Sequence, residues 1–289
     1  MHNLLAATTL PVPSDYKAGT VSMWLFTLWA GGFALLVLPY VLYRLRRYGD
    51  TVLLFTWIGG FICSLGEPML DHLGHLWWPT NLPGPAFSAY DLNVPLLIPP
   101  CYVAFVAMTG YFAYRMMNRG LSVRQVFYVW LAIASTDLAL EFPGVLTNVY
   151  KYYGNEPFYL GNFPMHWGWL NGTGMLMVGF LLWALVPRLR GLQRGLVLLV
   201  PVTAFLGSYG MTSWPAFMSI NANLSTFWMD VVDLGSLALC LLVVWGVAET
   251  VAKREPAVTG ELAAMRELAG VATNGAPALA STARTPEHV

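Results

Sequence analysis

The sequence predicts an all-α, polytopic membrane protein with a seven-transmembrane-helix bundle, and three observations support this class. Apolar runs of about 20 residues recur along the 289-residue chain, each long enough to cross a ~30 Å hydrocarbon layer. The chain is 57% hydrophobic and only 10% charged, whereas a soluble domain is about 25% charged. Basic residues cluster between alternate apolar runs. None of these clusters forms a basic patch of the kind that binds nucleic acid, so we expect no nucleic acid as a partner.

The apolar runs define seven predicted spans within a single helical domain at residues 20–252. Residues 1–19 are predicted to form an extracytoplasmic segment, and they lack the basic start of a cleaved signal peptide. Residues 253–289 are predicted to form a mostly disordered cytoplasmic tail, with a short helix at Glu261–Leu268. The spans are Thr20–Tyr43, Thr51–Leu70, Val94–Tyr114, Gln125–Val145, Met165–Val186, Gly195–Trp214 and Thr226–Val247.

The distribution of basic residues predicts the orientation of these spans. Arginines follow spans 1, 3 and 5, and Lys253 and Arg254 follow span 7, whereas the opposite loops carry only Lys17 and Lys151. Cytoplasmic loops hold the excess of Lys and Arg in membrane proteins. The N-terminus is therefore expected outside and the C-terminus in the cytoplasm. The arginines are Arg44, Arg46, Arg47, Arg115, Arg119, Arg124, Arg188, Arg190 and Arg194.

Two longer outer loops, Asp71–Asn93 and Tyr150–Pro164, are rich in aromatic residues, glycine and proline. Aromatic side chains concentrate at the interface between membrane and water, so we expect most of them to form such a belt. They are Trp77, Trp78, Tyr150, Tyr152, Tyr153, Phe158 and Tyr159, with Trp167 and Trp169 just beyond.

Six carboxylates inside the predicted spans are the most informative feature of the chain, because no Lys or Arg accompanies them. An ionisable group at bilayer depth is costly and therefore marks a candidate functional site. With a rise of ~1.5 Å per helical residue, all six fall in the outer half of the bundle. We expect Glu67, Asp230 or Asp233, and at least one of Asp137 and Glu141 to line one cavity there. The six acids are Glu67, Asp71, Asp137, Glu141, Asp230 and Asp233.

The spacing of these acids indicates what they could do. Glu67 and Asp71 are four residues apart, so they share one helix face, and the other four form two similar pairs. Like charges held close in a low dielectric cannot all be ionised. A carboxyl that stays protonated at neutral pH can act as a general acid. The alternative for any single acid is a structural hydrogen bond that braces two helices.

Other residues in the outer half are candidates for substrate binding. His166 and Asn171 open the fifth span, and Tyr209 lies in the outer half of the sixth. Aromatic faces near the acids could stabilise a developing cation, although core and interface packing are alternative roles. These aromatic candidates are Phe142, Trp167, Trp214 and Trp228.

A metal site is the main alternative use of the same residues. Glu67 and Asp71 with His72, His75 and His166 form a carboxylate and histidine set, but their spacing matches no strong ligand motif. We therefore expect no metal and no cofactor. The seventh span holds no lysine, which excludes a retinal Schiff base. Pro68 and Pro143 follow acids closely and are expected to end or break their helices.

Three short segments resemble a known family. Gly66-Glu67-Pro68 with Asp71, followed by residues 152–157 and by Gly161–Pro164 with Trp167 and Asn171, resembles the AveC-like spirocyclase family of bacterial integral membrane proteins. The placement of the acids is also similar to that of the seven-helix integral membrane terpene cyclases of meroterpenoid pathways. That resemblance implies roles in protonating an epoxide or olefin for Glu67 and for Asp230 or Asp233.

The functional hypothesis is an acid-triggered, metal-independent cyclase in the bacterial cytoplasmic membrane. Its partners would be membrane lipids and a lipophilic isoprenoid or polyketide substrate. Glu67 is the leading proton donor, and the remaining acids would tune or relay. The alternatives are a proton-coupled transporter or lipid-binding membrane protein that uses the same acids, and a metal-dependent membrane enzyme.

Overall fold

The structure is a computed structural model that describes residues 12–222 and 224–253. The predicted disordered tail, its short helix and most of the predicted extracytoplasmic segment lie outside these residues. The described chain is mostly helical with little strand. Its helices are α1 (Thr20–Tyr48), α2 (Thr51–Leu73), α3 (residues 98–118), α4 (Val123–Leu146), α5 (His166–Arg188), α6 (Gly191–Thr212), α7 (Trp214–Asn221) and α8 (Thr226–Ala252).

Six helices in the described part of the chain are long and apolar enough to cross a membrane, namely α1, α2, α4, α5, α6 and α8. This finding confirms the coarse prediction of an α-helical membrane protein. The helix α3 corresponds to the predicted span Val94–Tyr114 but begins four residues later. Val94 instead closes a strand, and Pro99 and Pro100 occupy the first turn of α3, where a missing N–H costs no hydrogen bond.

Local distortions interrupt several helices near the acids. A 3₁₀ turn at Ser64–Gly66 precedes Glu67, and Pro68 lies in the first turn of the helical segment that follows. The predicted break at Pro68 is therefore confirmed. Pro143, in contrast, lies inside α4, which continues to Leu146. Further irregular turns are the π segments Thr27–Gly31 and Val103–Met108 and the 3₁₀ segments Val186–Arg188 and Gly191–Leu199.

The helix α5 lies at the centre of the bundle and packs against α3, α4, α6 and α8. It is also the most buried of the six candidate spans. Glycines allow this close packing: a Cβ on Gly172 would lie 2.9 Å from Cβ of Ala134, and one on Gly179 would lie 2.8 Å from the carbonyl oxygen of Gly110. Without side chains at these positions, the backbones of neighbouring helices can approach closely.

The outward faces of α1 and α8 carry large exposed apolar side chains, as expected of surfaces in contact with lipid. Polar neighbours are rare on these faces, and the exposed side chains recur along the full length of both helices. They include Trp24, Leu25, Leu28, Trp29, Leu35 and Leu36 on α1, and Phe227, Trp228, Leu234, Leu242 and Trp245 on α8.

Short antiparallel strands join the two loops predicted to lie outside, Asp71–Asn93 and Tyr150–Pro164, into a cap. The strand β1 (Leu76–Trp77), after α2, pairs with β4 (Lys151–Tyr152), after α4. Two hairpins complete the cap, β2 (Phe87–Ala89) with β3 (Leu92–Val94), and β5 (Tyr159–Leu160) with β6 (Phe163–Pro164). The β1–β4 pair matters most for the site, because it brings two loops that are distant in sequence over the same end of the bundle.

A polar cluster joins α1, α2 and α3 at the opposite end. Asp50 caps α2 by accepting a hydrogen bond from the backbone N–H of Leu53 at 3.0 Å, and it pairs with Arg44 at 2.9 Å. The Tyr111 hydroxyl donates to the same carboxylate at 2.7 Å. The pairing anchors one arginine of the basic cluster at the end of α1.

Candidate active site

A cavity lies beneath the cap, between α2, α3, α4, α5 and α6. Its volume is about 80 Å³. Ordinary ligand pockets measure ~300–1,000 Å³, so a larger ligand would require the lining side chains to move. Its wall is mainly apolar, with Leu70, Leu76, Leu97, Ile98, Phe105 and Leu140, and no Lys or Arg occurs among the described residues that line it.

The helix α2 contributes two carboxyls to this cavity. Glu67 and Asp71 are one turn apart and both face it, as their spacing predicts. The Tyr102 hydroxyl of α3 donates a hydrogen bond to Oε2 of Glu67. The indole Nε1 of Trp78, in the cap, donates to Oδ2 of Asp71 at 2.8 Å. Each buried acid therefore has one neutral donor, and neither has a cation among the described residues to balance a charge.

The second carboxyl pair, on α4, is held by Asn171 of α5. The Nδ2 of Asn171 donates to Oδ1 of Asp137 at 3.0 Å and to Oε1 of Glu141 at 2.9 Å. Its Oδ1 accepts a hydrogen bond from the Tyr209 hydroxyl of α6. Asn171 thus uses both ends of its amide to hold two acids and a phenol together. Glu141 lines the cavity directly, and Asp137 lies fully buried behind it.

The cap supplies two further donors to Glu141. The Tyr150 hydroxyl lies 3.4 Å from Oε2 of Glu141 and 3.0 Å from its backbone oxygen, and the Tyr152 hydroxyl lies 3.1 Å from the same Oε2. Burial raises the pKa of both phenols well above the ordinary range, and the charge of Glu141 adds to this. Both hydroxyls therefore remain neutral donors at physiological pH.

Aromatic rings surround the same carboxyls. Tyr152 stacks on Trp167 with centroids 5.8 Å apart, and Trp167 lies 6.2 Å from Tyr209. Phe205 in turn contacts Tyr209 and Tyr102 at 5.2 and 5.8 Å. The π faces of such rings attract a positive charge, so the cavity combines acids with a wall able to stabilise a cation.

Neither Asp230 nor Asp233 is among the residues that line the cavity, so the expectation that one of them joins Glu67 there is wrong. Asp230 is partly exposed and accepts a hydrogen bond from the backbone N–H of Phe158 at 2.8 Å. Asp233 is fully buried and faces His166, with Oδ2 3.7 Å from Nδ1. Because α8 packs mainly on α4, α5 and α7, with a smaller contact on α6, its acids lie apart from the carboxyls of α2.

A further buried acid, Glu156, joins this second group and was missed from the sequence. It lies in the loop between α4 and α5, with Oε2 4.0 Å from Nε2 of His166, and both side chains are fully buried. We call Glu156, His166 and Asp233 the buried triad. The only available signal was the sequence context of Glu156, beside Pro157 in an aromatic loop, and nothing there predicted burial.

The aromatic candidates divide between cavity and surface. Trp167 and Tyr209 line the cavity, whereas Phe142 packs on Phe163 outside it, with centroids 5.6 Å apart. Trp214 and Trp228 are more than half exposed on the outside of the bundle. Their predicted role at a substrate is therefore not supported by their position, because neither lines the cavity.

The predicted interface belt is wrong for several loop aromatics. Trp78 and Tyr150 are buried, Tyr152 is half-buried, and all three line the cavity together with Trp167. The β1–β4 pair folds both loops inward and turns these side chains toward Asp71 and Glu141 instead of the lipid.

The candidate metal set is dispersed. His72 is exposed and stacks on Tyr90, whereas His75 is buried and its Nε2 lies 3.2 Å from Oδ1 of Asn221. His166 belongs to the buried triad. Within residues 12–222 and 224–253, no group of three or more His, Cys, Asp or Glu side chains is arranged to hold a metal ion.

Comparison of the chain with protein-family models, with curated proteins and with solved structures finds no match. The assignment of a function therefore depends on the geometry of the cavity.

Proposed function

We propose that the protein is an integral membrane cyclase that closes a ring in a lipophilic isoprenoid or polyketide by protonating it within the cavity. The observation that carries this proposal is the presence of three carboxyls, Glu67, Asp71 and Glu141, in one narrow aromatic cavity whose described lining contains no basic residue. Such acids favour the protonated form, because burial penalises their charged form and no cation offsets it.

The arrangement supplies both a proton donor and a proton acceptor. Glu67 on α2 would donate its proton to an epoxide oxygen, an olefin carbon or a ketal oxygen, which leaves a carbon centre with positive charge. An internal π bond or hydroxyl would capture that centre and close the ring. Glu67, now a carboxylate, would then regain the proton released by the product, directly or by relay through Glu141, whose charge interacts with its own. The reaction is redox-neutral and needs no other reagent.

The aromatic wall and the cap support the same chemistry. A carbocation reacts with water if water can reach it, so ring closure requires a dry site. The cap covers the outer end of the cavity with Leu76, Trp78, Tyr150 and Tyr152. The phenol rings of Tyr102 and Tyr209 offer π faces to the charged intermediate.

We also propose that the chain crosses the bacterial cytoplasmic membrane seven times, with α3 as the additional span and the cap outside. The chain is helical throughout residues 98–118, including the π segment Val103–Met108, which at ~1.5 Å per residue spans ~30 Å. Seven crossings place the arginine clusters at the C-terminal ends of α1, α3 and α5 on one side of the membrane, as the positive-inside rule requires. The catalytic cavity then lies in the outer half of the membrane.

The test is conversion of defined probes by the purified protein in detergent or lipid nanodiscs. One probe is a linear isoprenoid with a terminal epoxide, and the other is a polyketide-like dihydroxy ketone. We expect the first to give a cyclic isomer of unchanged mass, or the second to give a spiroketal with loss of one water.

A proton-coupled transporter would behave differently in the same preparation. Reconstituted into vesicles with an imposed pH gradient, it would accumulate a probe without changing it chemically. Gradient-driven uptake with both probes recovered intact would overturn the cyclase proposal in favour of transport.

A further inference from the structure

The buried triad lies outside the cavity, and the proposed reaction does not use it. All three side chains are fully buried, and their neighbours leave several polar atoms without hydrogen bonds. Among the described residues, neither oxygen of Glu156 has a hydrogen-bond partner, and neither does Nε2 of His166. Buried polar groups are rarely left this way, since each unmet bond costs ~1–3 kcal/mol. A structural brace would satisfy these atoms, so the triad requires another explanation.

The charges of the triad show what it must bind. If both carboxyls were ionised beside a neutral imidazole, two negative charges would lie in a fully buried space. Burial raises the pKa of Glu156 well above the ordinary value for a glutamate, and the charge of Asp233 raises it further. A neutral imidazole already carries one N–H proton. The triad has no net charge only when it binds two further protons, so proton binding stabilises it.

The imidazole lies between the two acids in an order that permits proton transfer. Nδ1 of His166 lies 3.4 Å from the Pro157 carbonyl oxygen and 3.7 Å from Asp233, whereas Nε2 faces Glu156 at 4.0 Å. With Nδ1 protonated, Nε2 is a free acceptor. A proton can then leave Oε2 of Glu156 and form an N–H bond at Nε2. The distances from the imidazole to Asp233 and to Glu156 both exceed that of a hydrogen bond, so proton transfer requires closer approach or a bridging water.

The triad is connected to the cavity by Tyr152 and Trp167. His166 and Trp167 have ring centroids 4.8 Å apart, and Trp167 stacks on Tyr152. The hydroxyl of Tyr152 lies 3.1 Å from Glu141 and interacts electrostatically with Glu156 as well. Exposed residues flank Glu156 at Gly154 and Asn155, so the loop also places the triad close to the outer surface.

We propose that Glu156, His166 and Asp233 form a second proton-binding site, in which Glu156 shares an exchangeable proton with His166 and communicates with Glu141 through Tyr152. This inference depends on the proposed function only in its last step, the coupling to Glu141. The ligand of the site is the proton itself, and its role is to hold a proton between the outer surface and the cavity carboxyls.

The surroundings of the triad contain acids and phenols. Asp230 on α8 interacts with Asp233, as do the Ser236 hydroxyl and Cys240 on the same helix. Tyr152, Tyr153 and Tyr159 in the loop interact with Glu156. None of these groups carries a positive charge at neutral pH, so none of them replaces the bound proton.

Infrared difference spectroscopy of the purified protein without substrate tests the site directly. We expect a protonated-carboxyl band that persists between about pH 5 and pH 8, the range in which a histidine ordinarily titrates, and that disappears in Glu156→Gln. His166→Asn should shift the titration of that band. Glu249→Gln, which removes an acid paired with Lys253 at the far end of α8, is the control and should leave the band unchanged. Circular dichroism and thermal melting identify any variant that fails to fold.

The outcomes separate this proposal from the cyclase proposal. An ionised Glu156 throughout that pH range would show a fixed ion pair with protonated His166 and would overturn the proton-binding site. Tyr152→Phe tests the coupling: the Glu141 band should stop responding to Glu156→Gln, while the Glu156 band remains. If the Glu141 band responds equally with and without the Tyr152 hydroxyl, the coupling through Tyr152 is wrong. None of these readouts depends on turnover.

Discussion

At the scale of single residues, Asn171 has the widest influence on the cavity. It donates to Asp137 and Glu141 and accepts from Tyr209, so one amide fixes the positions of two acids and one phenol. A carboxylic acid could not replace it, because the two neighbouring acids require a donor with two N–H groups. The arrangement makes Asn171 a positioning residue for Glu141.

Replacing Asn171 with leucine should destabilise the protein strongly. Each buried group left without its partner costs ~1–3 kcal/mol; Asp137 and Tyr209 lose their bonds to Asn171, and Glu141 keeps only its two tyrosine donors. Thermal unfolding in detergent measures the change. Asn93→Ala is the control, because Asn93 is exposed and bonds only to Ser88 among the described residues. Equal melting temperatures for the two variants would contradict the role of Asn171.

Glu156 provides a prediction about pH and stability. Its pKa is raised in the folded protein, so between its unfolded value of about 4.3 and the raised value the native state binds more protons than the unfolded state. Stability should therefore fall as pH rises through that window, by at most ~1.4 kcal/mol per pH unit for one group. Glu156→Gln mimics the protonated form and should show a smaller fall. Parallel melting curves against pH for both proteins would refute this prediction.

At the scale of elements, the close contact between α2 and α3 sets the position of Tyr102 against Glu67. A Cβ on Gly60 would lie 2.8 Å from Cα of Val103 and 3.2 Å from the backbone oxygen of Tyr102. Gly60 therefore lets the two backbones approach. The Tyr102 phenol then reaches the carboxyl of Glu67, which lies about two helical turns beyond Gly60 along α2.

Gly60→Ala should accordingly destabilise the protein by ~1–3 kcal/mol, because overpacking displaces backbone. Gly246→Ala provides the matched control, since nothing lies within 4 Å of a Cβ there. Alanine in a helix interior is better than glycine by ~0.5–1 kcal/mol, so Gly246→Ala should be neutral or stabilising. Unfolding of both variants in denaturant gives the comparison, and a loss of stability at Gly246 equal to that at Gly60 would contradict the contact argument.

The sequence is sufficient for the helices but not for the cap. Helical spacing predicts that Glu67 and Asp71 share a face, and the structure confirms it. The inward turn of Trp78 and Tyr152 depends on the pairing of β1 with β4, two strands more than 70 residues apart, and strand pairs of two residues carry no readable pattern. The burial of Glu156 depends on the same loop, and the separation of Asp233 from the cavity depends on which helices α8 packs against.

At the scale of the whole molecule, the proposed topology places the cap and the arginine clusters on opposite sides of the membrane. Cysteine labelling in intact cells measures this in a background without the three native cysteines. Asp91→Cys, in the turn between β2 and β3, should react with a membrane-impermeant maleimide. Leu192→Cys, at a fully exposed position in the first turn of α6, should react only after the cells are opened. The reverse pattern would contradict the proposed orientation.

The most direct test of the central claim is the turnover of a converted probe by Glu67→Gln. Glutamine keeps an oxygen that accepts the hydrogen bond from Tyr102 but has no acidic proton. General acid catalysis contributes typically ~10²–10⁴-fold, so we expect a loss of that order with an unchanged melting temperature. Glu249→Gln, which removes an acid paired with Lys253 at the far end of α8, should turn over normally. A folded Glu67→Gln protein that converts the probe at the wild-type rate would contradict the claim that Glu67 supplies the proton.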